Sequence, residues 1–342
     1  MPEIFLETLA FYRSLVLKRI IDLIPKNRYR STLYDPMLEY PLREGKGLRP
    51  ALCLSVCRAC GGSLEEGIDS AAALEMFHNA FLLHDDIADR SEYRRGLPTL
   101  HTQYGIGVAT NVGDALNMLA LRTLLGNVAK LGPERALTIL QEVERMTRET
   151  AEGQSLDLAW TAHRNLSDLR VRDYLLMIHK KTCWYTCIAP LRIGGLIARV
   201  PREQLESFNA FGARIGAAFQ IQDDILNLTA DVQLYGKEIG GDLAEGKITL
   251  MVAHLLQRAS PQDHRRILRI FAKERPRKTR GELQLVFSKM QEHRSLDFAA
   301  DVARRLTLRA QHIFETHLRW IPASPHRRFL EGMIDFMIER SL

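Results

Sequence analysis

The sequence predicts an all-α protein built from many long helices, on three observations. Its 342 residues include 22 glycines and 13 prolines, about a tenth of the chain, which is low for a loop-rich β fold. Apolar residues recur at intervals of three and four, as in Ile4, Leu6, Leu9, Leu15, Leu17 and Ile20, and again in Leu116, Leu119, Leu121, Leu124 and Leu125. Strict alternation, the mark of a half-buried strand, is scarce. Hydrophobic residues make 46% and charged residues 26%, which excludes a disordered tail, a collagen-like repeat and a coiled-coil rod.

The helices follow from their breakers. Pro25 ends the first periodic segment, and Gly61-Gly62, Gly132-Pro133, Gly194-Gly195, Pro201, Pro261, Pro276, Gly281 and Pro322 are spaced as later helix ends. Between Pro25 and Gly61, Cys53, Cys57 and Cys60 fall on one helix face among Leu52, Leu54 and Val56, where a thiol acts as a small apolar core residue and not as a metal ligand. With Cys183 and Cys187 the cysteines number five, an odd count that suits a reducing compartment. Next comes a largely apolar helix, Ala71 to Leu83, broken by Glu75, His78 and Asn79 and leading into an acidic run. The most apolar stretch, Ala115 to Leu125, is ended by Arg122 and Gly126, and no apolar run reaches the length of a membrane span. Glu3 and Glu7 stand where a secretory signal has its basic region. A cytoplasmic chain with no integral membrane segment follows. No Ser/Gly/Pro-rich linker divides it, so one domain over residues 1–342 is expected.

The net charge of +6 permits a phosphate-bearing partner without identifying one. The basic stretch Arg258 to Arg280 lacks interleaved aromatics apart from Phe271, so it reads as a solvated helix face and predicts no nucleic-acid partner. Gly241-x4-Gly246-Lys247 begins like a P-loop, but Ile248 replaces the metal-binding hydroxyl and no strand precedes it.

One segment is echoed. Phe81-Leu-Leu-His-Asp85-Asp86-Ile87-Ala88-Asp89 returns 138 residues later as Phe219-Gln-Ile-Gln-Asp223-Asp224-Ile225-Leu226-Asn227. On a helix Asp85 and Asp89 point the same way and Asp86 lies about 100° round. Two carboxylates about 5 Å apart repel by roughly 3 kcal/mol at an effective dielectric near 20, a cost that a cation removes. Oxygen-only ligands favour a hard ion, Mg2+ or Mn2+, which completes its shell with water and substrate phosphate oxygens. Fixed cations accompany both clusters: Lys46 and Arg49 in Gly45-Lys46-Gly47-Leu48-Arg49, then Arg94-Arg95-Gly96, Lys181-Thr182, and Lys237 and Lys247 around Asp242.

In these motifs, with Glu75-Met-Phe-His78, Gly113-Asp114, Gly153-Gln154-x-x-Asp157 and Phe219-Gln220-x-x-Asp223-Asp224, the sequence resembles the trans-type isoprenyl diphosphate synthases, or polyprenyl synthetases. The resemblance runs from about Gly45 to Leu250 and more loosely beyond. It is nearest to the geranylgeranyl or farnesyl diphosphate synthases. It implies a helical bundle around a deep central cavity with the acidic motifs facing each other at its mouth, and a homodimer. It also implies head-to-tail condensation of isopentenyl diphosphate with an allylic diphosphate (dimethylallyl, geranyl or farnesyl). By position, Asp85 and Asp89 hold two Mg2+ ions and Asp223 a third, supported by Asp86, Asp224 and Asp242. Arg94, Lys181 and Lys237, assisted by Lys247, take the allylic diphosphate; Lys46, Arg49, His78 and Arg95 take isopentenyl diphosphate. Thr182 and Gln220 place oxygen dipoles near the developing cation. Released diphosphate removes the final proton, so the chemistry needs no His or Glu base, and an apolar cavity shields the cation from water.

Two positions depart from the family. Asn227 stands where many relatives have Asp, and Gly47 where many carry a basic residue. Chain length is set one turn or more upstream of Asp85. There the small Ala80 beside the large Phe81 and Phe77 predicts a C20 product ahead of C15. A class I terpene cyclase has no need of the Lys46/Arg49 and Arg94-Arg95 sites for a second diphosphate. A weak subunit of a heteromeric synthase generally loses an acidic motif, whereas here only the last position of the second motif is altered.

Overall fold

The computed structural model describes residues 3–43, 45–163, 166, 169–229 and 240–339. They are almost entirely helical. The order is α1 (Glu3–Leu23), α2 (Asp35–Leu42), α3 (Leu48–Ala59), α4 (Leu64–Asp89), the strands β1 (Tyr93–Arg94) and β2 (Leu97–Pro98), α5 (Leu100–Tyr104), α6 (Ile106–Leu125), α7 (Asn127–Leu131) and α8 (Pro133–His163). Then come α9 (Val171–Ile178), a π-helical segment (His179–Ile188), α10 (Ala189–Ile197), α11 (Arg202–Leu205) and α12 (Ser207–Thr229). The last are α13 (Gly241–Glu245), α14 (Leu250–Arg258), α15 (Pro261–Phe271), α16 (Arg280–Glu292), α17 (Ser295–His317) and α18 (Pro325–Glu339). No helix among the described residues is long and apolar enough to cross a membrane.

The chain forms two compact units: Met1–Thr147 with Tyr185–Gly212 and Gln311–Phe336, and Arg148–Trp184 with Ala213–Ala310 and Met337–Leu342. The first is organised by α4, which packs on α1, α3, α6 and α10. Its core holds Tyr12, Tyr40, Leu52, Leu54, Met76, Leu83, Phe208, Phe211 and Phe329, all less than 2% exposed. Burying a side chain of this size contributes about 1.5–3 kcal/mol. The second unit packs α14 on α9 and α16, around Tyr174, Met251, Val252, Leu255, Ile267, Val286 and Met290.

Helix α4 matters most for the site, and its ends are built locally. Ser63 accepts the Glu66 amide at 3.1 Å and Glu66 accepts the Ser63 amide at 2.9 Å, a reciprocal cap that holds the Glu66 carboxyl below its usual range. At the far end Arg90 turns into the left-handed region (φ 55°), so the helix stops just after Asp89. Its 26 residues span about 39 Å.

Most breakers act as expected: Pro25, Gly61-Gly62, Gly132, Pro201 and Pro322 lie between helices, while Pro133 opens α8 and Pro261 opens α15. Gly194-Gly195 does not end a helix, because both lie inside α10. A Cβ on Gly194 meets the Cys53 carbonyl oxygen at 2.3 Å, so this glycine serves the close approach of α10 to α3. Cys53 and Cys57 are fully buried on that face; burial raises the Cys53 thiol and pushes Cys57 up to about 12, which keeps both unreactive.

Candidate active site

In the first unit, Asp85, Asp86 and Asp89 occupy the last turn of α4. Asp85 and Asp89 are half-buried, whereas Asp86 is 0% exposed. The Asp86 carboxylate accepts the Tyr40 hydroxyl at 2.5 Å and the Arg94 Nε at 3.0 Å, and Arg94 Nη2 donates to it as well. The middle aspartate is therefore engaged by protein donors and fixes α2 and the β1–β2 hairpin against α4. The outer two, Asp85 and Asp89, lie one turn apart on the same helix. The hairpin turn is Arg95-Gly96, both with positive φ, the two-residue geometry that matches strand twist. Arg95 donates to the Tyr40 and Arg43 carbonyls at 3.2 and 3.3 Å.

Arg95 belongs to a crowd of cations. Burial, together with Arg94, Arg49 and Arg43, holds its guanidinium below the ordinary value, against the opposing charge of Glu75. Burial in turn raises the Glu75 carboxyl, opposed by Arg49 and Arg95. Glu75 Oε2 is enclosed with no hydrogen-bond partner. A pocket of ≈ 180 Å³ lies beside these groups, lined in part by Arg13, Gly45, Gly47, Pro50 and Glu75. Arg43 bonds Glu39 at 3.3 Å and Arg94 bonds Asp86, so the half-buried Arg49 and Arg95, opposed by Glu75, carry the positive charge that suits an anion. Gly47 sits at the start of α3 with φ 65°, where any side chain is strained. Lys46 beside it is exposed.

Tyr185, which no spacing in the sequence singles out, contacts Arg49, His78 and Phe81 in this unit. Arg49 lies 4.3 Å above its ring and donates to the neighbouring Thr186 hydroxyl at 2.7 Å. His78 stands 5.9 Å from the same ring, and Phe81 meets it edge-on at 5.6 Å. Phe77 lies tilted against Phe81, with ring centroids 6.3 Å apart. Of the three chain-length positions, Ala80 and Phe77 are buried and Phe81 alone keeps some surface.

In the second unit the echo of the sequence becomes structural. Asp224, the middle aspartate of the second motif, is buried and accepts the Tyr174 hydroxyl at 2.7 Å and the Gln220 amide at 2.7 Å. Each motif thus seats its central carboxylate on a tyrosine from a distant helix and a second donor. Asp223 is half-buried. Burial, and then the charge of Asp242, pushes the Asp224 carboxyl up to about 7. A cation at this crowded oxygen set relieves that repulsion, so the residues fit a hard metal ion. No three His, Cys, Asp or Glu side chains converge on one point among the described residues. Asn227 Oδ1 accepts the Asp242 amide at 3.2 Å and holds the start of α13.

Lys181 leaves the π-helical segment toward α8 and bonds Asp157 at 2.6 Å, while Lys180 bonds Glu149 and Glu152 at 2.7 and 2.6 Å. A Cβ on Gly153 meets the Lys181 amide nitrogen at 2.1 Å, so Gly153 is what lets this segment lie against α8. Thr182 donates to Gln220 Oε1 at 3.1 Å, forming a Thr182–Gln220–Asp224 chain. Lys247 bonds Glu245 at 3.0 Å. Lys237 lies outside the described residues.

The tyrosine seats yield a stability prediction. Tyr40→Phe and Tyr174→Phe each withdraw a hydroxyl from a buried carboxylate and are expected to lower unfolding stability by about 1–3 kcal/mol in urea titrations.

A family model described as polyprenyl synthetase matches residues 31–290. A geranylgeranyl diphosphate synthase of Methanosarcina mazei is 31% identical over 86% of each chain. A geranylfarnesyl diphosphate synthase of Aeropyrum pernix is 32% identical over 86% of this chain and 90% of that one. Among solved structures, the geranylgeranyl pyrophosphate synthetase of Pyrococcus horikoshii superposes with a TM-score of 0.85 at 33% identity, covering 98% of each chain.

Proposed function

The chain belongs to the polyprenyl synthetase family, and from that premise we propose that it adds isopentenyl diphosphate head-to-tail to allylic diphosphates until it reaches geranylgeranyl diphosphate. It is a short-chain trans-prenyltransferase. The observation that carries the catalytic assignment is the repeated frame in which a tyrosine seats the middle aspartate, leaving Asp85, Asp89 and Asp223 half-buried on their helices. Dimethylallyl, geranyl and farnesyl diphosphate are the primers. The C20 endpoint is supported by the small Ala80 beside Phe81 and by relatives named for that product.

The reaction requires a divalent metal, which we take to be Mg2+, three ions per site, with Mn2+ accepted in its place. Asp85, Asp89 and Asp223, supported by Asp224 and Asp242, would hold the metal, which would supply positive charge to the departing diphosphate. The residues of the chain do the rest. Lys46, Arg49, His78 and Arg95 hold isopentenyl diphosphate, and Glu75 balances Arg49 and Arg95 while no substrate is present. Arg94, Lys181, Lys237 and Lys247 hold the allylic diphosphate, with Asp86 and Asp157 orienting Arg94 and Lys181. The carbon–oxygen bond of the allylic substrate breaks, and its cation is captured by the double bond of isopentenyl diphosphate. The oxygens of Thr182 and Gln220, fixed by their mutual hydrogen bond, lie toward the cationic carbon chain. A proton then leaves to the released diphosphate. We take residues 1–342 to act as one catalytic domain in the cytoplasm.

The test is diphosphate release from geranyl diphosphate with purified protein. Release that needs both isopentenyl diphosphate and Mg2+, and stops in EDTA, is expected. Release without isopentenyl diphosphate points to a cyclase and overturns the proposal.

A homodimer is supported by an apolar stripe facing out from α6 and α7. Ile106, Met118 and Leu125 are 63%, 61% and 53% exposed, with Leu121 and Val128 continuing the line at helical spacing. Met118→Lys combined with Leu125→Glu is expected to halve the mass seen by light scattering; an unchanged mass excludes this face as the interface.

A further inference from the structure

The net charge of the chain is concentrated in one place. Between Arg258 and Arg280 there are nine basic and two acidic residues, a net +7 against +6 for the whole chain, so the remainder is close to neutral. Four of the nine are Lys273, Arg275, Lys278 and Arg258. Lys273 bonds Glu282 at 2.5 Å and Arg275 bonds Glu245 at 2.9 Å. Lys278 donates to the Leu243 and Ala244 carbonyls at 3.2 and 2.8 Å. The other five, apart from Arg258 at the end of α14, are Arg265, Arg266, Arg269, Arg277 and Arg280, and all five are exposed.

On α15 the division is complete. Ile267, Ile270 and Phe271 are buried, while Arg265, Arg266 and Arg269 occupy the opposite, exposed face. Nearby acids only partly offset this face: Asp263 pairs with Lys289 at 3.1 Å while also feeling the charge of Arg266, Glu282 pairs with Lys273, and Glu274 is exposed. Among the described residues none of the five exposed arginines forms an ion pair. Arginine forks bind phosphate oxygens in pairs, so the face is matched to a surface dense in phosphates.

We propose that this arginine face docks the protein on an anionic lipid bilayer. Two features favour lipid over single-stranded nucleic acid. The stretch exposes no aromatic ring on which a base can stack, since Phe271 is 4% exposed. The apolar side of α15 is occupied by the protein core, so contact is electrostatic, without insertion, and sensitive to salt. The product class supplies a reason, and here the inference rests on the proposed function: a C20 diphosphate is an amphiphile whose chain partitions into a bilayer. A catalyst held at the surface releases it where a membrane-bound prenyl-accepting reaction can consume it.

The test is co-sedimentation of the full chain, without substrates, with vesicles of phosphatidylcholine alone or with about one third phosphatidylglycerol. Binding to the anionic vesicles in low salt, none to the neutral ones, and release at high salt are expected. Arg265→Glu/Arg266→Glu/Arg269→Glu is expected to weaken binding at least about tenfold while keeping its melting temperature and its rate of prenyl transfer in solution. Failure to bind anionic vesicles, equal binding by the triple variant, or tighter binding to single-stranded RNA than to vesicles overturns the proposal. Because no turnover is needed, an Asp85→Asn protein serves equally well. A failed prenyl-transfer assay and a failed vesicle assay are therefore separate results.

Discussion

Asp85→Asn is expected to lower kcat for prenyl transfer by about 10³-fold, equivalent to ~4 kcal/mol of transition-state stabilisation, with little change in melting temperature. The side chain is half-buried at the last turn of α4, so its replacement by an isosteric amide leaves packing intact and removes a negative charge from the proposed metal site. Its neighbour behaves differently. Asp86→Asn is expected to destabilise the fold by about 3–5 kcal/mol, because it strands the Arg94 guanidinium, which is enclosed between α4 and the hairpin. Steady-state kinetics and thermal melts on the two variants separate these roles. If Asp85→Asn keeps most of its activity, Asp85 holds no catalytic metal.

Phe81→Ala is expected to move the main product from C20 to C25 or longer, read by mass spectrometry of the dephosphorylated alcohols. Phe81 keeps some surface where Ala80 and Phe77 do not, and it is braced edge-on by Tyr185. On the proposed reading the growing chain ends against this ring, so its removal lengthens the product. Removing Tyr185 instead, as Tyr185→Ala, is expected to lengthen the product less and to raise KM for isopentenyl diphosphate, since that ring also carries Arg49. Ala80→Phe is expected to act mainly on stability, because the site has no room for a ring. Unchanged product length in Phe81→Ala assigns the floor of the chain cavity to other residues.

Whatever depends on backbone chemistry within a few residues was legible from sequence. Pro25, Gly61-Gly62 and Gly132-Pro133 end helices by their own conformational limits, and the i, i+4 spacing of Asp85 and Asp89 places them on one turn. What depends on distant chain was not. Gly194-Gly195 looks like a helix end, yet its role is to admit the Cys53 carbonyl. Tyr40 and Tyr174 lie 46 and 50 residues from the aspartates they seat, and no spacing connects them. Tyr185 was missed because its partners Arg49, His78 and Phe81 come from α3 and α4, far away in sequence. The α6 stripe was visible as periodicity, but a single sequence does not say which of two apolar faces is turned inward. The exposed arginines were visible too; that their local acids are already paired required the structure.

The central claim is carbon–carbon bond formation between two diphosphate substrates. Carbon-13-labelled isopentenyl diphosphate, incubated with the purified chain, Mg2+ and dimethylallyl, geranyl or farnesyl diphosphate in turn, tests it most directly. Products followed by mass spectrometry are expected to gain three, two and one labelled five-carbon units and to converge on C20. Label that never enters a longer chain from any primer contradicts the account.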